Sequence, residues 1–208
     1  MSGAEGRAAA ARQAAVLGDG PRIPPLSAGE RSAAQQALIE RSRPPVQVRH
    51  LPGADDTEWV EILVRHPDLF AAHMAFAQQF MASATLSPRD RELAVLRLAW
   101  VSAAPFEWGG HVVIAKACGL SAQDIARVID GPVAAEWSTA ERALLLAVDE
   151  LHTDTMISDT TWEALAAHLD AQQLIELVML IGHYKTVAYY QNALRFRLPD
   201  GNDGLLAR

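Results

Sequence analysis

The chain has 208 residues, 50% of them hydrophobic and 21% charged, which is enough apolar material for one buried core and too much for a disordered chain. With 18 Lys and Arg against 25 Asp and Glu, its formal charge of -7 offers no broad basic surface to a phosphate backbone, so no nucleic acid partner is expected. The single cysteine, Cys118, excludes an internal disulfide framework, a paired-thiol redox site and a zinc site built on several thiolates.

Residues 1–21 are rich in Ala, Gly and Arg, lack a usable apolar face and are expected to form a flexible arm. They lack the continuous apolar stretch of a secretory signal and carry Glu5, so a cytoplasmic location is expected. A leader over 22–50 follows, punctuated by Pro24, Pro25, Pro44 and Pro45. In it Ser27, with Glu30 three residues on, reads as a capping box that opens a helix over 27–42. Val46–Arg49 alternates as a strand would, but it is too short and isolated to found a sheet.

The main domain is expected over 51–198, with a tail at 199–208. Start signals recur through it: Ser87-Pro88-Arg89-Asp90, Ser121-Ala122-Gln123-Asp124, Ser138-Thr139-Ala140-Glu141 and Asp170-Ala171-Gln172-Gln173 each set a capping oxygen three residues before a side chain that reaches back. Gly119 and Gly131-Pro132 supply stops. Leu93, Leu96 and Trp100, and then Leu144, Leu145, Val148 and Leu151, repeat at helical period. Helices are predicted over 55–65, 67–83, 88–104, 106–118, 122–130, 139–153, 159–168 and 171–195, an all-α bundle of short helices. No stretch approaches the roughly 20 consecutive apolar residues of a membrane helix, so no membrane association is expected. The last helix is the longest and most apolar, which places it at the domain centre or in the contact of a homo-oligomer.

Residues that can carry chemistry concentrate between 86 and 119. Glu107 and His111 are four apart, a spacing that stacks them on one helix face as an acid/base pair; a capped carboxylate and a histidine satisfied in a helix contact is the alternative. Gly109 and Gly110 between them each cost roughly 1 kcal/mol against Ala in a helix, so a neighbouring element or a ligand is expected to approach the backbone there. Glu92 lies one turn inside its helix, between inward and exposed readings, while Arg89 and Arg91 read as solvated charges. His183, Tyr184 and Lys185 interrupt the apolar last helix and Tyr189-Tyr190-Gln191-Asn192 follows within two turns, so these side chains bond across a subunit contact or line a cavity shared with His111. Trp108 joins these as a substrate-contacting candidate besides its reading as a core anchor. His152 reads as structural, and Cys118 as a small core residue. His50, His66, His73 and His168 have no ligand partners at suitable spacing, so no dedicated metal site is expected, although Glu107 and His111 could supply two ligands. No glycine-rich phosphate loop occurs, so no nucleotide cofactor is implied.

Arg-Ile-Pro-Pro-Leu at 22–26, Ser87–Leu93, Phe106–His111, Ala117–Leu120, Glu136–Ser138 and Asp149–His152 together resemble the carboxymuconolactone decarboxylase family, within the AhpD-like superfamily. The resemblance runs over about 22–195 and implies an all-helical fold associating through long helices as trimers or hexamers. Peroxidase members use a glutamate, a Cys-x-x-Cys pair and a histidine; these fall on Glu92, Ala104, Glu107 and His111, so the thiol chemistry has no sulfur to run on. Decarboxylase members act without cofactor on a small acidic lactone, which implies Glu92, Glu107 and His111 as the catalytic group. Pro105 and Phe106 stand where relatives more often have an acidic residue and a tyrosine, and His183-Tyr184-Lys185 where Gln-Tyr-His is frequent, so a substrate other than that lactone is expected, such as a larger secondary-metabolite or xenobiotic intermediate. The expected function is a cofactor-independent acid/base enzyme for a small carbonyl, lactone or carboxylate compound. In it Glu107 orients His111, Glu92 relays the proton, and Tyr184 or Lys185 binds an oxyanion. A non-catalytic ligand-binding or scaffold oligomer and a metal-dependent hydrolase or lyase are the alternatives.

Overall fold

A computed structural model describes residues 3–43 and 57–208. Ten α-helices are found among the described residues, with no strand: α1 Gly3–Leu17, α2 Ala33–Ser42, α3 Glu58–Leu63, α4 Pro67–Ala82, α5 Pro88–Val101, α6 Pro105–Ala117, α7 Ala122–Asp130, α8 Thr139–Asp154, α9 Asp159–Ala166 and α10 Ala171–Leu194. The short alternating stretch 46–49 and the start of the helix predicted at 55 lie outside the described residues.

The cap signals act as their chemistry demands. Ser87, Ser121, Ser138 and Asp170 each accept the backbone N–H three residues on, at 2.9–3.2 Å. A cap of this kind contributes about 1 kcal/mol. At the leader the single predicted helix is two pieces, a 3-10 turn at Ala28–Glu30 and then α2. The break has a cause: Ser32 with Gln35 is a second capping box, and Arg31 turns back to donate to the Leu26 carbonyl and pair with Glu61.

The largest departure is at the N-terminus, where the expected arm is helical over Gly3–Leu17. Alanine has the highest helix propensity, and a narrow face seven residues apart, Ala9 and Val16, is buried. That helix rests on the chain's other end, where Gln13 Oε1 accepts the Leu205 N–H at 2.7 Å. The tail is correspondingly structured: Leu205 and Ala207 join the main core, and the Ala207 carbonyl accepts from the Trp108 indole at 3.1 Å.

The centre of the bundle is α5, which packs against α6, α8 and α10. Arg91, Glu92, Leu93, Ala94, Val95, Leu96, Leu98 and Ala99 are all buried on it. The longest helix, α10, expected at the domain centre or in a subunit contact, lies on one side of that centre, with Ile175, Val178, Met179 and Tyr189 left exposed. Arg97 ties the layers together by a two-pronged pair with Asp149 at 2.7 and 2.8 Å and by bonds to the Val128 and Ile129 carbonyls. Its guanidinium lies over Gly131, whose φ of 81° and missing Cβ make that approach possible. No helix among the described residues is long and apolar enough to cross a membrane.

Candidate functional site

Three helices bring the site together. α5 presents Glu92 one turn from its start, α6 presents Glu107 and His111 on one face, and α10 lays Tyr184 beside them. Glu92 is fully buried, and its carboxylate is shared between two cations or potential cations. Oε2 accepts from His111 Nδ1 at 2.7 Å, and Oε1 accepts from Arg91 Nε at 2.9 Å. Burial alone would raise the Glu92 pKa; the His111 and Arg91 bonds outweigh it and hold the group below its ordinary range. An ionised Glu92 requires the proton on Nδ1, which leaves Nε2 of His111 as the ring nitrogen available for proton exchange.

Glu107 is buried, and neither carboxyl oxygen has a hydrogen-bond partner among the described residues. Burial, and secondarily the negative charge of Glu92, push its pKa well above the ordinary value. The expectation that Glu107 orients His111 is therefore corrected: Glu92 does so, because α5 crosses α6 with its carboxylate at the imidazole, while Glu107 makes no hydrogen bond to His111. Tyr184 packs edge-on to the His111 ring, with centroids 5.0 Å apart. Its phenol is raised by burial and by the nearby carboxyl groups of Glu107 and Glu92.

The other sequence candidates separate from this group. Trp108 is wholly buried against Trp100, with its indole N–H given to Ala207, so it is a core anchor and lines none of the five described cavities. Lys185 lies a helical step from Tyr184 and points elsewhere: Nζ is 2.8 Å from His152 Nδ1 and 3.3 Å from Ser102 Oγ. His183 sits behind Tyr184 in an aromatic nest of Phe76, Phe80 and His73. Burial and the neighbouring His73 push it down to about 4, and its Nδ1 has no partner. The ligand or element expected at the glycines is the C-terminal turn. A Cβ on Gly109 would meet Asn202 and the Gly204 backbone, and Asn202 donates to the Phe106 carbonyl at 2.9 Å.

Two residues, Arg91 and His73, escaped the sequence reading, and Tyr190 entered it only as a polar group in need of a partner. Arg91, read as a surface charge, is buried and reaches the Phe80 carbonyl and Cys118 Sγ besides Glu92. His73 and Tyr190 form a 3.2 Å hydrogen bond at the floor of an apolar cleft of about 430 Å³ that Ile62, Leu69, Phe70 and Leu194 help to line. The Tyr190 pKa is also raised, chiefly by burial. Glu92, Glu107, His111 and Tyr184 themselves line none of the five described cavities. Among the described residues no three His, Cys, Asp or Glu side chains gather as a metal-binding group.

Comparison with known proteins gives the same fold. The model of the carboxymuconolactone decarboxylase family matches residues 67–150, the segment that contains α4 through most of α8. An Agrobacterium tumefaciens protein of unknown function, described as an antioxidant defence protein AhpD, is 26% identical with a TM-score of 0.61, covering 66% of this chain and 95% of its own. The debrominase Bmp8, solved as an alanine variant with 2,3,4-tribromopyrrole, has a TM-score of 0.71 at 13% identity over 90% of this chain and 97% of its own. An AhpD-core peroxidase-related protein from Ralstonia eutropha JMP134 has a TM-score of 0.69 at 17% identity, covering 89% of this chain and 94% of its own. A search of curated proteins finds no match.

Proposed function

The chain belongs to the carboxymuconolactone decarboxylase and AhpD-like proteins, and from that premise we propose that it is a cofactor-independent acid/base enzyme acting on a small carbonyl, lactone or carboxylate compound. The observation that carries the reading is Glu107, a buried carboxyl with both oxygens unpartnered among the described residues and a pKa raised by burial, beside a Glu92–His111 pair. Buried polar atoms without partners are rare and expensive, and a substrate oxygen would satisfy them.

In this reading the two carboxyls have opposite roles set by environment. Glu92 stays ionised and fixes the imidazole tautomer, so that Nε2 of His111 removes a proton next to a carbonyl. Glu107, protonated, donates a hydrogen bond or a proton to the oxygen on which charge develops. Tyr184 closes the site against water. The apolar cleft floored by His73 and Tyr190 is proposed to take the substrate's apolar body. Thiol peroxidase chemistry is not available, since Ala104 and Glu107 stand at the sulfur positions and the one cysteine lies elsewhere. The exposed Ile175, Val178, Met179 and Tyr189 face of α10 is proposed as the contact of a homo-oligomer.

A second reading is favoured by one observation, that the four residues line none of the described cavities: a non-catalytic oligomer of the same fold that binds a ligand or partner. A thermal-shift screen of small lactones, keto acids and aromatic acids on wild type and His111→Asn separates the two, because a ligand of the native state raises Tm by mass action. The enzyme reading predicts hits on wild type that are lost in the variant and are converted on incubation with wild type. Hits shared equally by both proteins, with no conversion, would support the second reading instead.

A further inference from the structure

Away from the Glu92–His111 pair, where α1 and the turn after it meet the end of α10, lies an open cavity of about 380 Å³. Its charged lining is Arg12, Arg22, Lys185 and Arg195, and no Asp or Glu lines it. We propose that this cavity is a binding site for a small organic anion carrying two or more oxyanion groups, carboxylate or phosphate.

The argument begins with charge. The chain as a whole is acidic, at -7, yet four cations gather here without a carboxylate among them. Among the described residues none of the four forms an ion pair, although Arg31, Arg89, Arg91, Arg97, Arg127 and Arg197 all do. Like charges in one concavity repel, and their field is focused by the low-dielectric walls. The negative end of α10 offsets part of this: Arg22 Nη1 donates to the Ala193 carbonyl at 3.1 Å. A helix C-terminus is worth only about half a charge, however, and it engages one of the four.

The site is also built rather than merely crowded. Gly18 has φ +51°, a backbone form costly for other residues, and the Arg195 guanidinium fills the space where its Cβ would be. Arg195 is itself in the left-handed region, closing α10 at its C-cap. The Arg22 N–H holds the Leu194 carbonyl at 3.0 Å, so both arginines are fixed to the same helix end. Lys185 is steadied from below by His152 and Ser102, and lies over the Tyr189 ring at 5.2 Å. Burial lowers the lysine's pKa, so an anion that supplied its missing counter-charge would restore the ammonium. Arg12 on α1 is exposed and closes the remaining side; it also lines a neighbouring cavity with Glu5. The volume exceeds that of one inorganic ion, and Ala15, Val16 and Ala188 provide an apolar floor, so an organic body with two anionic ends fits the lining better than phosphate alone.

The test uses the full chain at low ionic strength, with citrate, succinate and inorganic phosphate as probes and calorimetric titration as the readout. Citrate is expected to bind, with succinate weaker and phosphate weakest, and affinity is expected to fall as salt is added. Arg12→Gln combined with Arg195→Gln should weaken citrate about tenfold or more, as the loss of charge-assisted bonds implies. Arg12→Gln alone, at an exposed residue without a partner, keeps the test valid if the double variant folds poorly. His111→Asn should leave citrate affinity unchanged, which separates this site from the proposed acid/base site. Citrate bound equally by wild type and the Arg12 variants, no binding by any probe at low salt, or loss of binding in His111→Asn would each overturn the proposal. Phosphate binding as tightly as citrate would overturn the organic, two-ended ligand.

Discussion

A carboxyl group at position 107 is subject to two opposed influences. It sits in the first turn of α6, where the helix dipole favours the anion by roughly 0.3–1 kcal/mol. It is also buried beside a second carboxylate, and desolvation of a charge costs several kcal/mol, so the neutral form wins. The four-residue spacing of Glu107 and His111 was legible from the sequence, but it named the wrong partner: i,i+4 proximity competes with a third residue from another helix, and only packing tells which arrives. Glu92 could be placed near the start of its helix but not turned inward, since burial of a glutamate depends on Arg91 being buried with it. His183 gives a prediction at the same scale. Its pKa in the fold is about 4 against an ordinary 6.5. The unfolded chain therefore binds a proton that the folded one refuses, and stability is lost as pH falls through that window. At about 1.4 kcal/mol per pH unit the full loss is on the order of 3 kcal/mol. Urea unfolding at several pH values should show it, and His183→Phe should flatten the slope; an equally steep slope in that variant would assign the effect to other groups, His73 first among them.

At the scale of elements, what could be read was local. Helix starts were legible because a cap is a short-range bargain between a side-chain oxygen and an amide three residues on, and Ser87, Ser121, Ser138 and Asp170 all strike it. The N-terminal helix was not legible, because its stabilising face is two small residues and its partner is the opposite end of the chain. The glycines of α6 show the same limit. Their cost in a helix signalled a close approach, but not that the approaching group was Asn202. The two glycines make opposite predictions. Gly109→Ala would drive a Cβ into the Asn202 side chain and the Gly204 backbone nitrogen, and should cost about 1–3 kcal/mol through displacement of the C-terminal turn. Gly110→Ala meets only the Asn202 amide at 3.9 Å and should stabilise by up to about 1 kcal/mol through helix propensity. Thermal unfolding of the two variants checks this, and equal effects would contradict the packing described.

For the whole molecule, the all-α class followed from period and caps, whereas the identity of the central helix did not. Apolar content offered α10 either the centre or a subunit contact, and α5 occupies the centre because Arg91, Glu92 and Arg97 supply bonds that let a charged helix be buried on every side. The same arrangement separates the two regions with chemical potential. Tyr184 turns toward the carboxyl pair, Lys185 one step on turns toward a cationic cavity, and one helix thereby serves both. The account depends most on Glu107 holding its proton beside an ionised Glu92. Carbon-13 NMR of glutamate side-chain carboxyls, followed through a pH titration, tests this directly. One resonance, absent in Glu107→Gln, should titrate well above the ordinary glutamate range, and its midpoint should fall in Glu92→Gln, where the neighbouring negative charge is gone. Titration of the Glu107 resonance in the ordinary range, or a midpoint untouched by removal of the Glu92 charge, would contradict the acid/base assignment.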